Sequence, residues 1–255
     1  MTDVMDRKQL EESIGNSCKS LFFTSTITDF CTADATPEQL QFLDQALRQE
    51  VTQREENKRA RLIKKAHFPV YKTFEGYDFK NVNLPPVLTK EDLFNVGFVD
   101  RNENLILYGP VGLGKTHMAI AIGVAACYKG KKVQFNTVTG LVLQLSEARK
   151  KGKLEKLFKQ LTDVDLLILD EWGYVPVDRD GSTLLYQVIA SMYEKKSLLL
   201  TTNLEFSRWG SIFTDTLMAG AMIDRLVHYG HLIIFDGVSY RMEHALMKQT
   251  ARQPK

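Results

Sequence analysis

One eight-residue segment restricts the fold of this 255-residue chain more than any other. It reads Gly109-Pro110-Val111-Gly112-Leu113-Gly114-Lys115-Thr116, and it lies between an apolar run and a segment of helical character. This is the Walker A pattern, in which glycines let backbone N–H groups surround phosphates at the amino end of a helix. We expect Lys115 to reach the β- and γ-phosphates of ATP and the Thr116 hydroxyl to bind Mg²⁺. All eight residues and the adjacent His117 are therefore predicted to bind the nucleotide.

A second motif places two carboxylates at the end of an apolar run. Four apolar residues, 166–169, are followed by Asp170 and Glu171. A buried strand would deliver both acids to the carboxyl edge of a parallel sheet, next to the phosphates. We predict that Asp170 belongs to the Mg²⁺ shell and that Glu171 is the general base for an attacking water. The alternative is that the two acids only cap a strand. A water-activating glutamate also argues against a small-molecule kinase, where a substrate hydroxyl attacks.

Apolar strand patterns and helical patterns alternate from residue 104 onwards. The predicted strands are 104–108, 132–136, 165–169, 197–201 and 231–235, and the predicted helices begin at 115, cross 138–160, follow 182 and cover 214–228. This alternation predicts an α/β fold in which a parallel sheet is covered by helices on both faces.

The residues before the Walker A segment differ in character. Thr36, Pro37 and Gln39 are typical of a helix start, because a threonine cap, a first-turn proline and a glutamine three residues after the cap occur together. Residues 66–90 contain three prolines and aromatic residues without clean periodicity, which indicates a linker. We therefore predict a small all-helical N-terminal DNA-binding domain over 1–68, a linker over 69–90 and a nucleotide-binding domain over 91–255.

The net charge of +2 conceals an uneven distribution. Residues 1–47 carry three basic and eight acidic side chains, 48–72 carry eight and three, and 127–160 carry nine and two. Local charge, not net charge, governs attraction to phosphates. The predicted DNA-binding residues come from the two basic stretches and are Arg54, Lys58, Arg61, Lys65, Lys150, Lys151 and Lys153. The alternative is a solvated helix surface in which Glu55 and Glu56 pair with the arginines and lysines.

Composition excludes several other classes of protein. The longest apolar run is too short to cross a membrane, and the N-terminus lacks the basic and apolar regions of a signal peptide. Three cysteines without a CxxC spacing favour neither a disulfide framework nor a zinc site. We expect a cytoplasmic protein.

Three further sites each allow two interpretations. Asn203 follows the strand pattern 197–201, where AAA+ ATPases carry a residue that senses water and the γ-phosphate, but an asparagine there is also a common turn former. Phe74, Tyr77 and Phe79 either pack near an adenine or join the helical module to the core. Trp172 is expected to pack in the core or at an interface.

The order of motifs resembles the IstB-like helper ATPases of bacterial insertion sequences, which are related to replicative helicase loaders in the initiator branch of AAA+ proteins. The resemblance covers roughly residues 58 to 244. It rests on GPVGLGKTH, LLILDEWG, LLLTTN, AGAMIDRLVHYG, GVSYR and the aromatic segment KKAHFPVYKTFEGYDF.

This resemblance implies roles that composition does not. It implies that Arg225 is an arginine finger offered to a neighbour's nucleotide and that Arg241 contacts the γ-phosphate within the same chain; both could instead be surface arginines. It implies a core without the helical C-terminal lid, because few residues follow Arg241, and this leaves the geometry of Arg241 open. It also implies ATP-dependent homo-oligomerisation on duplex DNA and delivery of that DNA to a transposase.

Two other functions fit the same core. A replicative helicase loader would bind single-stranded DNA and a helicase, and its N-terminal module need not be basic. A nucleotide-dependent scaffold would hydrolyse ATP only incidentally. The stripe from Arg54 to Lys65 favours a DNA clamp over the loader.

Overall fold

The computed structural model describes residues 6–173, 178–213 and 215–243. The chain divides into two compact units, Met1–Arg61 and Leu62–Lys255.

The first unit is helical. Its helices are α1 (Arg7–Ser20), α2 (Ser25–Ala33) and α3 (Pro37–Lys65), the last of which continues past the division. A small apolar core is formed by Leu10, Ile14, Cys18 and Leu40. The predicted start of α3 is confirmed, since the Thr36 amide donates to Gln39 Oε1 at 2.8 Å and the Gln39 amide donates to Thr36 Oγ1 at 3.4 Å.

The second unit is an α/β structure, as predicted. Its strands are β1 (Val82–Asn83), β2 (Asn104–Tyr108), β3 (Val133–Thr137), β4 (Leu166–Trp172), β5 (Ser197–Thr202) and β6 (Gly230–Phe235). Its helices are α4 (Lys90–Asn95), α5 (Gly97–Asp100), α6 (Lys115–Tyr128), α7 (Val138–Lys150), α8 (Leu154–Thr162), α9 (Arg179–Met192), α10 (Thr216–His228) and α11 (Tyr240–Glu243), with a 3₁₀ helix at Phe206–Ser211.

The six strands form one sheet in the order β1-β6-β2-β5-β4-β3. All neighbouring strands are parallel except β1, which pairs antiparallel with β6. Side chains alternate between the two faces of a strand. Thus Leu105 and Leu107 pack in one buried cluster with α6, while Ile106 packs in the other with α7, α9 and α10. Helices therefore cover both faces, and the carboxyl ends of the parallel strands share one edge.

Residues 62–90 differ from the predicted organisation. Ala66 is fully buried, and Leu62, Ile63 and Phe68 pack against the same cluster as α6. The Phe135 amide donates to the Ala66 carbonyl at 2.8 Å, and Val82 pairs with Phe235 of β6. The predicted boundary after residue 68 and the predicted linker 69–90 therefore fall inside the second unit, because apolar side chains of this stretch are buried against the sheet.

No helix within the described ranges is long and apolar enough to span a membrane. The expectation of a missing C-terminal lid concerns residues beyond Glu243, which lie outside the described part of the chain.

Candidate functional site

The Walker A segment forms the turn between β2 and α6. Gly109 and Gly112 have φ angles of +148° and +87°, which side chains rarely tolerate. A Cβ on Gly109 would lie 2.1 Å from the Phe235 carbonyl oxygen, and one on Gly112 would lie 2.1 Å from Ser239 Oγ. Close packing by the last residue of β6 at Gly109, and by the segment after β6 at Gly112, therefore adds to the conformational need for glycine.

Lys115 begins α6 and is buried. Its ammonium group donates to the carbonyls of Gly109 at 2.6 Å and Pro110 at 2.7 Å, so it lies within the turn. Burial lowers the pKa of Lys115 to about 8; the Asp170 carboxylate acts in the opposite direction, and Arg241 adds to the lowering. The partners of this ammonium group in the turn are neutral carbonyls, so a phosphate would supply a negatively charged partner.

Thr116 and Asp170 meet at the ends of α6 and β4. The Thr116 hydroxyl lies 3.0 and 3.1 Å from the two Asp170 carboxylate oxygens. Asp170 is buried and also accepts a hydrogen bond from the Thr201 hydroxyl on β5. A hydroxyl beside a carboxylate is a ligand set that suits Mg²⁺, so the predicted metal-binding pair is brought together.

Glu171 has a different environment from Asp170. Its side chain is exposed, and its backbone is left-handed with a φ of +63°. The register between β4 and β5 shifts between Leu169 and Trp172, which places Glu171 in an irregularity of the strand. Such conformations in non-glycine residues are strained and concentrate at functional sites. The two adjacent acids thus differ in burial, since Asp170 is buried and Glu171 is exposed.

Asn203 directly follows β5, beside the end of β4. Its Oδ1 atom is buried and has no hydrogen-bond partner in the described ranges. A buried polar atom without a partner is unfavourable. The sensor role of Asn203 stays a prediction, beside the alternative of a turn former.

The segment after β6 lies against the Walker A turn. The Tyr240 amide donates to the Gly112 carbonyl at 3.1 Å, and Arg241 is exposed on the short helix α11. Its positive charge contributes to the lowered pKa of Lys115, after burial as the main cause. The contact of Ser239 with Gly112 was not foreseen from the sequence.

The aromatic residues before β1 are also part of this region. The Tyr77 hydroxyl donates to the Gly114 carbonyl at 3.4 Å, and its ring packs edge-on to His117 with centroids 5.0 Å apart. His117 Nε2 lies 3.0 Å from the Thr73 carbonyl oxygen. Phe74 and Phe79 pack with Tyr77 against the core. Of these rings, Tyr77 contacts the start of α6.

Trp172 is fully buried and lies 5.0 Å from Trp209 and 5.5 Å from Phe213 between ring centroids. The prediction of core packing is confirmed.

Arg225 lies on α10 and is half-buried. Its Nη1 atom donates to the Ala221 carbonyl at 2.8 Å, and its guanidinium carbon lies 5.2 Å from the centre of the Tyr186 ring and 5.9 Å from that of Tyr193.

The predicted DNA-binding residues are all exposed, namely Arg54, Lys58, Arg61, Lys65, Lys150, Lys151 and Lys153. Arg54 pairs with Glu50 at 2.7 Å and Lys151 with Glu147 at 3.1 Å, both within one helical turn. Such exposed pairs are weak, so they leave the side chains available to phosphates.

The glycine turn, the buried lysine and the two acids at the edge of this parallel sheet define a P-loop nucleotide-binding protein. A family model described as IstB-like ATP binding protein matches residues 25–248. The chain therefore belongs to the IstB-like ATP-binding protein family.

Relatives from insertion sequences support this assignment. An insertion sequence IS21 ATP-binding protein of Pseudomonas aeruginosa is 38% identical over 206 residues, covering 80% of this chain and 77% of the relative. An insertion sequence IS5376 ATP-binding protein of Geobacillus stearothermophilus is 37% identical over 209 residues, covering 82% and 83%.

Two solved structures share the fold. The crystal structure of DnaI has a TM-score of 0.53 at 18% identity and covers 67% of this chain and 90% of its own. The replication initiator DnaA bound to AMPPCP and single-stranded DNA has a TM-score of 0.52 at 19% identity, covering 72% and 56%. At these identities the likeness concerns the fold alone.

Proposed function

We propose that this protein is an Mg²⁺-dependent ATPase that assembles on duplex DNA in its ATP state and assists a transposase during transposition. The observation that carries the ATPase is the contact of the Thr116 hydroxyl with the Asp170 carboxylate, between the buried Lys115 of α6 and the exposed Glu171 of β4. The insertion-sequence relatives support a role beside a transposase.

Hydrolysis follows from the differing environments of these side chains. Lys115 holds the β- and γ-phosphates of ATP and offsets their charge. Thr116 and Asp170 would hold Mg²⁺, which would supply further positive charge beside the phosphate oxygens. The exposed Glu171 carboxylate takes a proton from water, whose oxygen bonds to the γ-phosphorus as the bond to the ADP oxygen breaks. Asn203 orients that water. ADP and phosphate are the products.

Assembly would couple to the nucleotide through the arginines. Arg241 reaches the phosphates from the same chain, since its segment lies on the Walker A turn. Arg225 leaves Tyr186 and Tyr193 and stabilises negative charge on a neighbour's γ-phosphate. An ATP shared between two subunits favours the oligomer over free chains.

DNA binding would be dominated by phosphate contacts. The exposed lysines and arginines in the two basic stretches repeat once per subunit, so a row of subunits adds many weak contacts along a duplex. We therefore expect strong, salt-sensitive and largely sequence-independent binding. The basic stripe of α3 is assigned to an N-terminal DNA-binding role.

Comparing duplex and single-stranded DNA tests this function against a helicase loader. Fluorescence anisotropy would measure both affinities at two salt concentrations, with a non-hydrolysable ATP analogue, with ADP and without nucleotide. We expect tighter duplex binding with the analogue and a steep loss with salt. A preference for single strands would support the loader instead.

A further inference from the structure

Two consecutive threonines of β5 hold three consecutive residues at the end of β4. The Thr201 hydroxyl donates to Asp170 and accepts the Glu171 amide at 3.1 Å. The Thr202 hydroxyl donates to the Trp172 carbonyl at 2.9 Å. Thr201 and Thr202 are 2% and 1% exposed. We call this pair the threonine clasp.

The clasp encloses the most irregular part of the strand. Glu171 has a φ of +63°, and the β4–β5 register shifts across it. A left-handed glutamate persists only where its surroundings determine its conformation. The Glu171 amide, bonded to the Thr201 hydroxyl, is one such determinant. This conformation directs the Glu171 side chain to solvent while Asp170 stays buried.

We infer that Thr201 is a positioning residue for ATP hydrolysis, acting through Asp170 and Glu171. This inference rests on the proposed ATPase function. A single hydroxyl is donor to the carboxylate proposed to hold Mg²⁺ and acceptor for the backbone of the proposed general base. The Asp170 carboxylate and the Glu171 amide are thus bonded to the same oxygen atom, Thr201 Oγ1 of β5.

The hydroxyl of Thr201 differs from that of Thr116 in that it is not a proposed Mg²⁺ ligand. Both hydroxyls contact Asp170, but Thr116 is itself a proposed Mg²⁺ ligand. Thr201 remains the buried hydroxyl that orients Asp170 when the Thr116 oxygen is engaged. Thr201 also lies two residues before Asn203, the proposed water sensor, which directly follows β5.

Three variants separate this role from simple packing. Thr201→Val keeps the shape and removes the hydroxyl, Thr201→Ser restores the hydroxyl, and Ser197→Ala is the matched control. Ser197 is fully buried on the same strand, and its hydroxyl has no hydrogen-bond partner in the described ranges of the chain. We expect Thr201→Val to lower kcat at least about tenfold with little change in the KM for ATP, since it removes two hydrogen bonds at the acids. Thr201→Ser should retain most of kcat, and Ser197→Ala should match the wild type.

Amide hydrogen exchange provides a measurement that does not depend on turnover. The Glu171 amide should exchange slowly in the wild type and in Thr201→Ser, and faster in Thr201→Val, without nucleotide or metal. Rapid exchange in the wild type would overturn the inference even if Thr201→Val did not fold. An unchanged kcat in folded Thr201→Val would overturn it as well.

The same experiment distinguishes the inference from the proposed function. A wild-type protein that fails to hydrolyse ATP with Mg²⁺ and DNA refutes the ATPase. The exchange rates of Glu171 in the wild type and Thr201→Val then decide whether the clasp sets its backbone.

Discussion

Two regions of the molecule differ in how their charged residues are buried. The first is the sheet edge that carries Lys115 and Asp170, which we call the nucleotide edge, and the second is the exposed side chains of the stretches 48–72 and 127–160, which we call the basic surfaces. At the nucleotide edge Lys115 and Asp170 are buried and bonded to groups that hold their positions. On the basic surfaces Lys58 and Lys150 are exposed. Buried charges depend strongly on each partner, whereas exposed charges are screened and act additively. A single substitution should therefore have a large effect at the edge and a small one on the surfaces.

Lys115→Ala should have the largest effect of the substitutions considered, because Lys115 is a buried charge at the nucleotide edge. Loss of the charge-assisted contacts to phosphate should weaken ATP binding at least about a hundredfold and abolish ATP-dependent assembly with it. Titration with a fluorescent ATP analogue and light scattering measure the two effects. Lys129→Ala, beyond the other end of α6, should behave as the wild type. A Lys115→Ala protein that still assembles with ATP would refute the coupling.

Glu171→Gln should separate binding from hydrolysis. Removing the general base should lower kcat about a hundredfold or more while ATP binding and assembly on DNA persist. Steady-state phosphate release and DNA anisotropy follow the two activities, and Glu91→Gln on α4, outside both basic stretches, is the exposed control. The variant should also fail to support transposition, because it does not recycle. Normal transposition with it would favour the scaffold function.

Arg225→Ala sharpens the comparison, because this residue is half-buried. We expect unchanged ATP affinity and at least about tenfold lower hydrolysis in the assembled state, where a neighbour's phosphate would lose its arginine. Hydrolysis is measured across protein concentrations with Arg179→Ala as the control. An equal loss in dilute monomer would remove the role in trans.

Lys58→Ala should have the smallest effect. One lost phosphate contact should weaken duplex binding a few-fold for any sequence and reduce the salt slope by about one. Anisotropy over a salt series measures both quantities. Lys19→Ala, an exposed lysine on α1 in the acidic stretch, should leave both unchanged. An unchanged salt slope in Lys58→Ala would assign this stripe to solvated surface.

Much of the nucleotide edge was predictable because its signals are local. Glycine spacing determines where the backbone can turn, and an apolar run ending in Asp170 and Glu171 places acids at a strand end in any parallel sheet. The start of α3 was predictable for the same reason, since Thr36 and Gln39 bond within one turn.

Other features depended on contacts between distant segments. Residues 62–90 belong to the second unit because Ala66 is buried there and Val82 pairs with Phe235. The sequence around Ala66 and Val82 has no periodic pattern that would predict these contacts. The packing of Ser239 against Gly112 likewise brings together residues that are far apart in the chain.

The amino-acid sequence by itself determined the class of the second unit, the phosphate-binding turn and the two acids, because each depends on residue type and spacing along one segment. Only the tertiary structure decided that Asp170 is buried while Glu171 is exposed, and that one threonine hydroxyl bonds to both residues. The physical reason is that burial and hydrogen-bond partners are set by neighbouring strands, whose register follows from the packing of the whole sheet.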